Sequence, residues 1–495
     1  MKYRIPAFVL IVLSTLIRSG IANAHESNPM LFSDDAIANA MRSYFQVTID
    51  TPAIDTMSAY DSTHDSVLFD FGTGGFSRRR HTHTYVLTEL GRARQMPYNE
   101  NFTWVDFNRV TGFFLGAGTS GLEDLGPHDE FGIDANGGYG FADKRWEYRF
   151  GAEFRLPLAK MRNKEEDSTN FEDDTVHHKW KHGHDREPFY IPPTLALGGE
   201  VHNITSTDDA WRAGRLENAA YAFFAREDFR DYYKLAGGDV YLAFRPMSGR
   251  EVRIEWRSDH YQSLPQEVYH GRWGGNKVLP PNPPVAEGTM HSLVISSQHE
   301  TVHTRYYETT SLFGDSVSIE QLAGTSGLVQ VELGHMPASD FGFNRYLLDL
   351  RRFQPILKGL SFDSRFRFEA TTGDSIFQKL EFLGGPGSLP ALYRKSLIGN
   401  RMLLLNTEIR LSLGILTSAF RAPDLDLIIY NDFGKIGMAA DGESIIQGYG
   451  FSGASSILYN VGVGLGWTNG IQVGATWRTD IKADPRLIFR MQRPF

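Results

Sequence analysis

The stretch Arg145-Trp146-Glu147-Tyr148-Arg149-Phe150-Gly151-Ala152-Glu153-Phe154-Arg155-Leu156 decides the fold class. Trp146, Tyr148, Phe150, Ala152, Phe154 and Leu156 alternate with Arg145, Glu147, Arg149, Glu153 and Arg155. Residues two apart share a face of a strand, so this segment has one apolar face and one charged face. A helix would scatter the charges around its circumference. Val252, Ile254 and Trp256 repeat the pattern against Glu251, Arg253, Glu255 and Arg257, and Phe362, Phe366 and Phe368 do so against Asp363, Arg365, Arg367 and Glu369. From about Arg109 to the C-terminus the chain reads as strands.

A soluble β-sandwich also alternates apolar with polar residues. Three features favour a transmembrane β-barrel. The segments approach the ~9–11 residues that cross a bilayer at a tilt, against ~5–6 in soluble strands. Aromatics (Trp146, Tyr261, Trp467, Trp477, Phe495) sit at the ends of the apolar faces, as interfacial girdles require. Short and long connections alternate. The predicted strands are 109–117, 131–141, 145–157, 193–203, 213–226, 236–246, 250–261, 290–301, 328–337, 344–354, 359–371, 400–412, 424–436, 458–467, 470–480 and 486–495. That makes sixteen in a range of twelve to sixteen, an even number as in single-chain bacterial barrels. With the N-terminus periplasmic, the short gaps 142–144, 247–249, 355–358 and 468–469 share one side, and the long gaps 158–192, 262–289, 372–399 and 437–457 lie outside. The gap 302–327 is long on the wrong side, and 213–226, followed by dense charge, carries the alternation least clearly.

Composition agrees. The 495 residues include 49 Gly and no Cys, with a formal charge of −9. A strongly basic nucleic-acid footprint is excluded, as are a disulfide framework, a thiol nucleophile and a cysteine-based zinc site. Mean hydropathy is −0.31, and past the first residues no apolar run reaches the ~18 needed for a membrane helix. Lys2 and Arg4, the apolar stretch Ala7 to Ile17 and Ala22-Asn23-Ala24 read as a cleavable export signal over residues 1–24. Residues 25–107 read as a short N-terminal periplasmic extension, and 108–495 as the barrel.

Few constellations suggest chemistry. His177, His178, His182 and His184 follow an acidic run and are candidate metal ligands, although their spacing fits no defined site. There is no GxSxG, and nothing pairs a particular serine with His202, His260, His291 or His299. Glu408 and Arg410 on one strand, and Asp426 and Asp432 on the next, point inward by alternation. Charges enclosed by a barrel need partners, and such acids can hold an infolded loop.

The segment Phe382-Leu383-Gly384-Gly385-Pro386-Gly387-Ser388-Leu389-Pro390-Ala391-Leu392-Tyr393, continuing to Asn406-Thr407-Glu408-Ile409-Arg410, resembles a family signature. It is similar to that of the bacterial surface antigen superfamily of outer-membrane β-barrels, the BamA/TamA/FhaC-like barrels. In that family a Gly-Gly-x-x-Ser stretch leads to an Arg-Gly-aromatic loop tip folded into the barrel. A strand with an inward Glu follows, then one with an aromatic-Asp-x-Gly-like motif. Glu408 matches the first, and Asp432-Phe433-Gly434 after Tyr430 the second. The resemblance covers about 290–495, is architectural over 109–289, and extends to the terminal strand ending in Phe495, the C-terminal assembly signal. Where the family has Arg-Gly, this chain has Pro390-Ala391, so Arg394 is the substitute cation expected on Glu408 or Asp432. No strand-helix-helix-strand order marks a POTRA domain in 25–107.

The resemblance implies a bacterial outer-membrane protein that inserts, assembles or translocates a protein or lipid client, with no covalent chemistry and no cofactor. Its implied partners are outer-membrane lipid, the barrel assembly machinery for its own insertion, and that client, with no nucleic acid. A seam between 109–117 and 486–495 would offer backbone edges to a client strand, and the loop bearing Gly384, Gly385, Ser388, Tyr393 and Arg394, tethered at Glu408 and Asp432, would plug the lumen. Two alternatives stay open: a passive pore or surface-binding barrel, and an outer-membrane hydrolase.

Overall fold

The computed structural model describes residues 104–120, 130–158, 193–247, 249–273, 275–311, 314, 316–415, 425–440, 442–449, 457–467 and 471–491. The export signal, most of the 25–107 extension, the four clustered histidines and Phe495 lie outside them. Alternation produces a long antiparallel meander. Its first half holds β1 (Trp104–Asn108), β2 (Gly112–Ser120), β3 (Phe131–Gly140), β4 (Arg145–Pro157), β5 (Thr194–Ser206), β6 (Tyr233–Met247), β7 (Arg250–Ser263) and β8 (Gly288–Glu300). It continues through β9 (His303–Thr310), β10 (Ser316–Leu333), β11 (Phe343–Leu357) and β12 (Leu360–Gly373). A two-stranded ribbon, β13 (Glu381–Leu383) and β14 (Leu397–Gly399), interrupts it before β15 (Arg401–Ser412), β16 (Leu425–Gly437), β17 (Leu458–Trp467), β18 (Gln472–Arg478) and β19 (Arg486–Arg490).

The polarity of the wall separates a membrane barrel from a sandwich. Trp146 and Phe150 are 73% and 48% exposed, whereas Glu147 and Glu153 on the same strand are 5% and 2% exposed. Val252, Ile254, Trp256, Leu350, Ile429, Val463 and Leu465 are likewise exposed, and Asp134, Arg149, Asp349, Arg365, Glu369, Glu408 and Arg410 are buried. This inversion is stable only where the outside is lipid and the inside is polar. The enclosed charges are paired within and across strands. Asp349 binds Arg365 at 2.5 Å and Arg367 at 2.6 Å, and Arg410 binds Glu408 at 2.6 Å and Asp363 at 3.3 Å.

Three sequence expectations need correction. Residues 213–226 form no strand. Arg215–Ala220 is an α-helix, α1, continued by a π-helical turn, Tyr221–Ala225, and Arg226 ends it at φ 53°. Ala219, Ala220, Ala222 and Ala225 favour a helix, and Leu216, Ala220, Phe223 and Phe224 recur at helical spacing. The sheet also begins earlier than 108, because β1 precedes the predicted first strand and pairs with it. Finally, 302–327 is not a loop: β9 pairs with the first half of β10 while β8 pairs with its second half, making one long hairpin. With β8 and β9 taken as one stave, the described sheet still has sixteen, because the lost strand and the gained strand compensate.

Losing one strand also reverses the side of everything before it. The turn 141–144 lies at the same end as 109–111, where the Ala142 N–H donates to the Thr111 carbonyl at 3.0 Å. β4 ends and β5 begins at the end of the short turn after Met247, opposite the 374–400 connection. The end of β4 and the start of β5 therefore do not share an end of the sheet with the 374–400 connection, as alternation alone had placed them.

Candidate functional site

Two connections from the same end of the sheet enter the lumen: 374–400 between β12 and β15, and 207–232 between β5 and β6. The tip of the first is built on backbone that only glycine adopts easily: Gly384, Gly385 and Gly387 have φ of 113°, 89° and 74°. A Cβ on Gly384 would lie 2.1 Å from the Tyr393 carbonyl oxygen. The buried Ser388 hydroxyl accepts from the Gly384 N–H at 3.1 Å and donates to the Gly385 carbonyl at 3.2 Å, closing the turn. Leu383, Leu389 and Leu392 then pack with Trp211 from the second connection and with Met402 and Leu404 of β15.

The tip is anchored differently from the sequence expectation. Arg394 reaches neither Glu408 nor Asp432. It donates to the Asp228 carbonyl and lies 3.7 Å from the Asp231 carboxylate. Glu408 is held by Arg410, and Asp432 accepts from Asn406 at 2.7 Å. The same Asn406 amide donates to the Ser388 carbonyl at 2.9 Å, so a neutral amide joins the tip to the wall at Asp432. Tyr393 stays exposed, with the Arg486 guanidinium 4.5 Å from its ring centre. We expect a double-mutant cycle of Arg394→Ala with Asp231→Ala to give a coupling of about 0.5–3 kcal/mol, and cycles with Glu408 or Asp432 to give less than about 0.5. The reverse ranking would refute this anchoring.

The cations of the tip meet the acids of the second connection. Lys395 binds Asp209 and Asp231, each at 2.5 Å. Arg109, fully buried in the β1–β2 turn, binds Asp231 at 2.5 Å, donates to the Asp228 carbonyl at 3.2 Å and to Asn282 at 3.1 Å. Arg212 binds Asp209 at 3.0 Å and donates to the Phe382 carbonyl and to the Ser388 hydroxyl. Arg109, Arg212, Asp209, Asp228, Asp231 and Lys395 were not singled out from sequence. Only Asp228 and Asp231 carried a signal, the charge density after 213–226 that made it a poor strand.

Burial would raise the Asp231 carboxyl, but the Lys395 ammonium and the Arg109 and Arg394 guanidiniums outweigh it and hold it below the ordinary carboxylate value. Burial and the nearby Arg109 instead lower Arg394, which shares one carboxylate among several cations. A depressed carboxyl stabilises the fold fully above its unfolded value of about 3.9 and loses that contribution as pH falls below it. We therefore expect the tip loop to stay protease-protected down to about pH 4 and to become cleavable below it. Protection unchanged to pH 2 would contradict the hub.

Among the described residues, Glu200, His202 and Asp239 are spaced closely enough for a metal. Both His202 nitrogens, however, already lie 3.0 Å from the carboxylates of Glu200 and Asp259, and Arg149 Nε donates to Glu200 at 2.8 Å. The group is a lumenal ion-pair chain.

No family model matches the chain, and no curated protein matches it. Among solved structures it is similar to BamA from Haemophilus ducreyi lacking POTRA domains 1–3, at 12% identity and a TM-score of 0.43, over 79% of this chain and 69% of that one. It is also similar to CdiB from Acinetobacter baumannii (12% identity, TM-score 0.34) and CdiB from Escherichia coli (11%, 0.34). Each match spans 78% of this chain, and 58% and 61% of the respective CdiB chains. By its own wall, apolar outside and charged inside, the chain is a transmembrane antiparallel β-barrel.

Proposed function

We infer that the protein works in the bacterial outer membrane, in the insertion, assembly or translocation of a protein or lipid client, without covalent chemistry. The observation that carries this reading is the seam. Among the described residues no register joins β19 to β1 or β2, so the described sheet has two backbone edges. An unpaired edge is a template for another strand. The expected seam partner of β19 shifts from 109–117 to β1. A passive pore would need an open water path, whereas here the tip loop and the 207–232 connection pack together within the lumen.

The test is quantitative proteomics and lipid analysis of purified outer membranes with and without the protein. Loss of a few barrel or secreted proteins, or a defined lipid shift, is the expected result and names the client. An unchanged membrane would overturn the reading.

A further inference from the structure

In an antiparallel pair, alternate residues aim their N–H and C=O at opposite edges. Phe489 of β19 aims both at the open side. There the Tyr221 hydroxyl accepts from the Phe489 N–H at 3.0 Å and donates to its carbonyl at 2.5 Å. One residue on, Arg490 binds Glu217 at 2.6 Å and donates to the Arg212 carbonyl at 3.1 Å. Across the gap, the Phe223 ring lies 5.2 Å from Phe107 of β1 and 5.5 Å from the outward-facing Phe113 of β2. Ala219 and Ala222 pack in the same cluster as Phe107. The helical segment 215–225 thus touches the first and last strands at once.

Its two faces fit that position. Glu217, Asn218, Ala219 and Ala222 are buried, whereas Leu216 and Phe224 are exposed, like Phe113, Leu487 and Phe489 on either side. Exposed apolar side chains on a segment rooted in a charged lumen match the lipid-facing wall. Eleven helical residues ending at a left-handed Arg226 are too few to persist without packing. Their place depends on the strands they touch and on the hub just after them, where Asp228 and Asp231 hold Arg109, Arg394 and Lys395.

We propose that this helix is a displaceable wedge: it fills the seam, Tyr221 occupies the backbone groups that a client strand would pair with, and a strand enters only when the wedge leaves. This rests on the seam reading above and adds its regulation, with the tip loop coupled to the seam through the hub.

The native chain has no cysteine, so a Glu217→Cys/Arg490→Cys pair can be locked by a short bifunctional thiosulfonate and released by reductant. The full chain is placed in lipid nanodiscs and its fold checked by heat-modifiable mobility. The probe is a synthetic peptide of residues 471–495 carrying a photoreactive group in place of Phe489. The pair is expected to crosslink, the locked protein to capture no peptide, and the reduced protein to capture it. In the cysteine-free chain, Tyr221→Phe is expected to raise capture about tenfold, the net worth of roughly one to two hydrogen bonds. Failure of the pair to crosslink, or equal capture by locked and reduced forms, overturns the wedge and leaves the seam reading standing. Efficient crosslinking with no capture by any form, Tyr221→Phe included, overturns the seam reading itself.

Discussion

Asp231→Asn is expected to lower barrel stability by about 3–5 kcal/mol, the range for removing one partner of a buried ion pair. The substitution keeps size and removes one charge, yet three cations lose the carboxylate they share. Arg109 is fully buried, and Lys395 and Arg394 are mostly so. Asp209 can still bind Lys395, but the Arg109 guanidinium keeps only neutral acceptors, the Asp228 backbone carbonyl and the Asn282 side chain. The effect should be visible as a lower midpoint of heat-modifiable mobility or urea unfolding in micelles, with the 384–396 tip gaining protease sensitivity first. A loss under about 1 kcal/mol, the worth of an exposed pair, would mean the hub is solvated and does not lock the tip.

Trp211→Ala should cost a comparable ~3–5 kcal/mol for a different reason. Trp211 fills the space among Leu383, Leu389, Leu392, Met402 and Leu404, where tip loop meets wall. Its ring also faces the guanidiniums of Arg212, Arg365 and Arg367 at 4.3, 4.9 and 4.3 Å. Deleting it opens a cavity and leaves those cations without their π partner, worth about 0.5–2 kcal/mol each. Trp211→Phe keeps a ring and should recover most of the loss. Equal losses in the two variants would show that the cost lies in the indole N–H and not in packing and stacking.

The wall was legible because a period of two is written into every transmembrane strand. The exposed Trp146 and Phe150 and the buried Glu147 and Glu153 are where alternation puts them. Alternation cannot say which face is outside. That came from segment length and girdle aromatics; Trp146 and Trp467 are exposed as expected, whereas Tyr261 is 3% exposed and packs with Tyr233 inside the wall, because it is out of phase with the outward Val252, Ile254 and Trp256. Alternation also fails where a segment stops being a strand. The alanines around Tyr221 read as helix in hindsight, and missing them reversed the ends assigned to the 141–144 turn and to the β4–β5 junction. Gly384, Gly385 and Ser388 were singled out by resemblance to the family's loop, and the turn they form is local. The partners of Arg394 were not, since Asp228 and Asp231 lie more than 160 residues away in sequence. Among the residues suspected from sequence, Asp432 does meet the tip, through the neutral Asn406.

The most direct measurement is photocrosslinking in growing cells, with a photoreactive amino acid at Leu487 on β19 and, as a control, at Val329 on β10. Both side chains are exposed on the outer face, but only Leu487 borders the seam. The expected result is a discrete set of polypeptide adducts at Leu487 that is missing at Val329 and grows when Tyr221 is replaced by Phe. Lipid adducts alone at both positions, or the same polypeptides at both, would contradict a client-engaging seam.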